Sequence, residues 1–221
     1  MARRFARDGY AAVVVLRTNA ESLDEVCGWI RDDGGTAHGY LIDATVEEEL
    51  QALVATVEQD IGPIHIAVYN LGANMGSRTL EMTTTKVFDN ATKLGSRGAF
   101  VLSQTVVPYM LSRPADTMQS LFFTGATSGV RGNATQLAHA TGMFGRRAIA
   151  QSLCHELWPL GIHVASINVD GLVDAPDTIG RVSGERWESM RAAAEERGSI
   201  LKPEAVADAW HYLHSQPRNC W

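Results

Sequence analysis

The chain has 221 residues, 45% of them hydrophobic and 20% charged, a balance that supplies a packed core and excludes a disordered chain. Nineteen basic against 25 acidic residues leave a formal net charge of -6, which speaks against a protein built to track a nucleic-acid backbone or an anionic membrane. The three cysteines, Cys27, Cys154 and Cys220, have neither metal-ligand nor CxxC spacing and are too sparse for a disulfide scaffold, so no metal and a reducing, cytoplasmic setting are expected.

No apolar run reaches the ~18 residues of a membrane helix. In the opening MARRFARDGYAAVVVL, Asp8 separates the basic from the apolar part, against a secretion signal. One domain over residues 1–221 is expected from length alone. The opening ARRFARD has helical character. Residues 11–16, AAVVVL, form the short β-branched run of a buried parallel strand. Asn19 is placed to cap a helix in which Leu23, Val26, Cys27 and Ile30 share a face, stopped by Gly34 and Gly35. GYLID at 39–43 predicts a second strand, followed by Thr45 and Glu48 at capping-box spacing and by Leu50, Leu53, Val54 and Val57 on one helical face. IHIAVYN at 64–70 predicts a third strand. A long helical stretch from about 84 to 110 carries Gly95 and Gly98. LFFT at 121–124, a helix over about 138–157, HVASIN at 163–168, and a helix opened by Pro203 and running through Leu213 complete the alternation. Alternating strands and helices predict an α/β fold, a doubly wound parallel sheet with helices on both faces.

Glycine patterning offers one candidate phosphate cradle, TGATSGVRG at 124–132, but its helix begins too late and Asp170 lies too far on for a ribose-binding acid, so a loop at a strand end is the plainer reading. His211 and His214, three apart near Trp210 and Tyr212, lack a third metal ligand. Arg146 and Arg147 are expected on a solvated or interface face. The charged stretch 177–199, with Trp187 and Met190, reads as a packing or lid segment.

The order of strand-ending strings carries more. Asp43-Ala44, NLGAN (Asn70 to Asn74), TGATS and VDGLVDAP together resemble the short-chain dehydrogenase/reductase family over nearly the whole chain. The resemblance implies a Rossmann-type fold, NADP or NAD as cofactor, and reduction of a carbonyl or oxidation of a secondary alcohol. NLGAN is similar to the family's Asn-Asn-Ala-Gly turn, keeping Asn70 and Gly72. Asp43 matches the acid facing the adenine ring, with Ala44 beside it, and Arg17 the basic residue associated with the 2′-phosphate of NADP. Gly171 keeps the glycine of the family's later Pro-Gly. Each has a plainer alternative: a turn-capping acid for Asp43, a strand-ending turn for Asn70 and Gly72, a solvated charge for Arg17.

The departures are as informative. ARRFA corresponds to the helix after the family's first strand and its Thr-Gly-x-x-x-Gly-x-Gly loop, so that strand and loop are expected to be missing and nucleotide binding to be weak. The family's usual last strand is also expected to be missing. Aligned on GRRAIAQSL, the Tyr-x-x-x-Lys pair falls on His139 and Met143. The catalytic Ser falls on Ala126, with Ser128 as a substitute, the assisting Asn near Gly95, and the cofactor-touching Thr on Ala175. A histidine with its ordinary pKa of ~6.5 needs no lysine to act as an acid near neutrality. Two other readings stay open: a catalytically silent binding or partner protein, and a non-redox enzyme using the same cleft with His139 as base. The family's pairing of its long helices implies a homodimer or homotetramer through 84–110 and 138–157.

Overall fold

The computed structural model describes residues 1–72, 76–174 and 184–221. Helix α1 (Ala2–Ala6) leads into β1 (Ala12–Leu16), α2 (Ala20–Asp32), β2 (Ala37–Leu41), α3 (Glu47–Thr56) and β3 (Ile66–Tyr69). Then come α4 (Thr85–Thr92), a π-helical turn (Lys93–Arg97), α5 (Gly98–Leu111), β4 (Gln119–Ala126), α6 (Leu137–Leu157), β5 (Ile162–Val169), β6 (Leu172–Val173), α7 (Gly184–Glu196), β7 (Ile200–Leu201) and α8 (Pro203–His214). All pairings among the described residues are parallel, as expected of strands joined by helical crossovers.

The strands fall into sheets of order β1-β2, β3-β4-β5 and β6-β7. Among the described residues no hydrogen-bonded strand joins β1 to β3. The strand period of two sorts the larger sheet into two faces. Ala67, Tyr69, Leu121, Phe123, Ile162 and Val164 pack with Leu50 and Val54 of α3, Val106 and Met110 of α5 and Leu157 of α6. The alternate residues Ile66, Val68, Phe122, Ala165 and Ile167 pack with Phe5 of α1 and Trp210 of α8. The smaller sheet has its own core, in which Leu23, Cys27 and Ile30 of α2 cover Ala12 and Ala37. Helix α1 serves both cores, Phe5 joining the larger sheet and Ala6 the smaller.

Four sequence expectations need correction. The second strand lies at Ala37–Leu41 rather than 39–43. Thr45 does not cap α3: its backbone N–H (2.9 Å) and hydroxyl both donate to Asp43 Oδ1, and the Asp43 N–H donates to Glu49 (2.8 Å) rather than anything engaging Glu48. A carboxylate two residues upstream outcompetes the threonine for local donors. The long helix is broken by the π turn at Lys93–Arg97. Arg146 is not on a solvated face but 1% exposed.

Candidate functional site

Parallel strands bring their C-terminal ends to one edge, where side chains from separate loops converge. That edge holds Arg17 after β1, Asp43 and Ala44 after β2, Asn70 and Gly72 after β3, the Ala126–Ser128 segment at the end of β4, and Asp170 and Gly171 after β5. Arg17, Asn70, Gly72 and Gly171 are exposed; Asp43 and Ala44 are half-buried. Hydrogen bonds from Thr45, and after them the cations Lys93 and Arg17, hold the Asp43 carboxyl below the ordinary carboxylate range. The Thr127 hydroxyl donates to Asp170, tying the loop after β4 to the loop after β5. An acid that accepts, with two cations acting on it, is a set of groups that fits an adenosine bearing a phosphate.

Ser128, 4% exposed, donates its hydroxyl to Gln136 Oε1 at 2.9 Å. Gln136 immediately precedes α6, so this bond fixes the start of the helix whose first turn carries His139, which is half-buried. Met143, one turn on, is 4% exposed. Gly95 sits against α6 with no room for a side chain: a Cβ there would lie 2.5 Å from the Gly142 Cα. Ala175 lies outside the described residues. Residues 177–183 of the charged stretch do as well, while Trp187 on α7 is buried.

The residue missed at the sequence level is Arg146. Its Nε donates to Gly95 O (3.1 Å), Nη1 to Thr124 O (2.7 Å), and Nη2 to Leu71 O (2.7 Å) and Leu94 O (2.8 Å). The Tyr69 ring lies 4.7 Å from the guanidinium carbon, and its hydroxyl donates to Leu94 O at 2.9 Å. Burial pulls Arg146 down to about 10 and pushes Tyr69 up to about 12. The signal was present: His139, Met143 and Arg146 stand at i, i+4 and i+7, one inward face of α6. The two other histidines singled out, His211 and His214, lie on α8, among side chains from the N-terminal ends of the strands. No group of His, Cys, Asp and Glu among the described residues could hold a metal, and no described helix is long and apolar enough to cross a membrane.

The short chain dehydrogenase family model matches residues 1–180. The short-chain reductase protein NovJ of Streptomyces niveus is 30% identical over 211 residues, which covers 93% of this chain and 78% of that protein. Among solved structures, a short-chain dehydrogenase from Rhodopseudomonas palustris has a TM-score of 0.79 at 29% identity and covers 100% of this chain and 87% of its own. L-Sorbose reductase from Gluconobacter frateurii, complexed with NADPH and L-sorbose, shares the fold at a TM-score of 0.84 and 21% identity, over 97% of this chain and 84% of its own.

Proposed function

The chain belongs to the short-chain dehydrogenase family, and from that premise we propose that it is an NADP(H)-linked oxidoreductase acting on a carbonyl or a secondary alcohol, with a histidine at the position of the family's tyrosine. The observation that carries the reading is the cluster at the sheet edge, where Arg17 and Lys93 both act on the held carboxylate of Asp43. Arg17 and Lys93 supply positive charge to the 2′-phosphate end, Asp43 faces the adenine, and Asn70 and Gly72 border the strand end. The nicotinamide cofactor, when bound, supplies or accepts the hydride.

His139 supplies the proton to the carbonyl oxygen, or takes it from the alcohol. Ser128 and Gln136 keep the first turn of α6 in place, so the imidazole is oriented before substrate arrives. Met143 cannot tune a proton donor as an ammonium would. This is an atypical centre for the family, with weak nucleotide binding and NADPH held no worse than NADH.

Calorimetry with both nucleotides, on the wild type and on Arg17→Ala, tests the cofactor half. NADPH binding weakened about tenfold by Arg17→Ala, with NADH unchanged, is expected from the loss of one cation at a phosphate. For the chemistry, the rate of carbonyl reduction should depend on pH through the His139 imidazole and collapse in His139→Ala. A flat profile between pH ~5 and ~8 that survives His139→Ala places the proton elsewhere, and saturating nucleotide without any turnover leaves a binding protein in its place.

A further inference from the structure

We propose that Arg146 is a positioning residue for the cofactor-binding edge: one buried guanidinium fixes the Asn70–Gly72 turn, the end of β4 and the π turn against α6, and nucleotide affinity depends on that fixation. The inference rests on the cofactor reading above and concerns how that site is held.

A guanidinium buried to 1% exposure is expensive to desolvate and is ordinarily matched by a carboxylate. Here every hydrogen-bonding partner described for it is a backbone carbonyl: Leu71, Leu94, Gly95 and Thr124. Those carbonyls come from three separate segments, none adjacent to α6 in sequence. Arginine can reach all of them because its five donors are spread over a planar fork, whereas a lysine gathers its three donors on a single nitrogen. Leu94 and Gly95 belong to the π turn, where carbonyls are displaced from the regular helical ladder and need outside donors. Tyr69, the last residue of β3, meets the guanidinium and the same Leu94 carbonyl.

The consequence for the site lies in Leu71. Its carbonyl is bound at 2.7 Å, and it stands between Asn70 and Gly72, so the backbone of both exposed residues is set from below by α6. An apolar side chain at 146 would fill the space yet leave buried carbonyls without donors. That is why packing alone does not account for the arginine.

The test compares Arg146→Lys and Arg146→Gln with Val106→Ala, a control in the same core whose apolar side chain makes no hydrogen bond to the turn or the guanidinium. Amide exchange over 70–72 and 93–97 and NADPH affinity are measured on each, beside thermal stability. Both Arg146 variants should exchange faster at 70–72 and bind NADPH about tenfold or more weakly, while Val106→Ala lowers the melting temperature with affinity unchanged. A folded Arg146→Lys chain with wild-type exchange and affinity overturns the proposal. On the wild-type chain itself, the Arg146 Nε–H resonance should shift as NADPH is titrated, and saturable binding that leaves it unmoved also overturns it. If wild type binds no nucleotide, the cofactor reading fails, and exchange at 70–72 still decides whether Arg146 sets the turn.

Discussion

At the scale of single residues, the crossing of the long helix over α6 is a backbone-to-backbone contact. A Cβ at Gly95 would meet Gly142 atoms at 2.5 to 2.7 Å, and one at Gly142 would meet the Ala91 carbonyl oxygen at 2.5 Å. Neither neighbour is the tip of a movable side chain, so relief requires the helices to separate. Gly95→Ala is therefore expected to destabilise the chain by about 1–3 kcal/mol in urea unfolding, as overpacking of a close contact does. Gly132→Ala, where nothing lies within 4 Å, should stay within about 0.5 kcal/mol of wild type. Equal effects at the two positions would mean that the crossing is not close. The same geometry leaves no space for an asparagine side chain at 95, because the main chain of α6 occupies it.

At the scale of elements, α8 is fastened to the sheet by a buried histidine. His214 Nδ1 shares a hydrogen bond with Ser120 Oγ on β4 at 2.8 Å, and Nε2 shares one with the Tyr10 hydroxyl at 2.9 Å. Burial, and after it the nearby His211, His163 and His65, push His214 down to about 4, while Asp8 acts the other way. Burial lowers His163 as well. In the unfolded chain His214 titrates at its ordinary ~6.5. Between these values the unfolded chain binds a proton that the folded chain does not, so stability is full above pH ~6.5 and falls by roughly 3 kcal/mol as the pH drops toward 4. Urea midpoints across that window should show the slope, and His214→Gln should flatten it; an undiminished slope in the variant assigns the effect to other groups. Much of the element order was legible, because an apolar strand such as Leu121–Phe123 and the helical face Leu23, Cys27, Ile30 announce themselves locally. The ends of β4 were not, since Gln119, Ser120, Gly125 and Ala126 carry no apolar signature and are strand only through their ladder with β5. The π turn was equally silent: Gly95 and Gly98 flagged an irregularity, but its form depends on donors from Arg146 and Tyr69, distant in sequence. Asp43, Asn70 and Gly72 could be picked out by order along the chain, whereas the buried cation beneath them has the residue type of a surface charge, and only its place on the face of α6 shared with His139 and Met143 marks it as inward.

At the scale of the molecule, the outer side of α5 and α6 is apolar and uncovered. Phe100 is 50% exposed and lines a groove of about 500 Å³ together with Val107, Pro108, Ala148 and Ser152; Phe144, on α6, is 43% exposed. Paired helices with small residues at the groove suit an isologous contact with a second copy, and an exposed apolar patch is otherwise a liability. A homodimer or larger is expected by light scattering at micromolar concentration, and Ala148→Arg should shift the mass toward the monomer; a wild type already monomeric there sinks the proposal. The separation of β1-β2 from β3-β4-β5 bears on the same edge in another way. Within each sheet a ladder of directional hydrogen bonds fixes the register, but between the two the described contacts include side-chain packing by Phe5 and Ala6 of α1 and the Arg97 bond to the Thr45 carbonyl at 3.1 Å. Packing of this kind is non-directional, so it does not set a register as a hydrogen-bond ladder does. Arg17 rides on one side of this seam and Asn70 on the other, so any group that reaches from one to the other bridges two ladders rather than one.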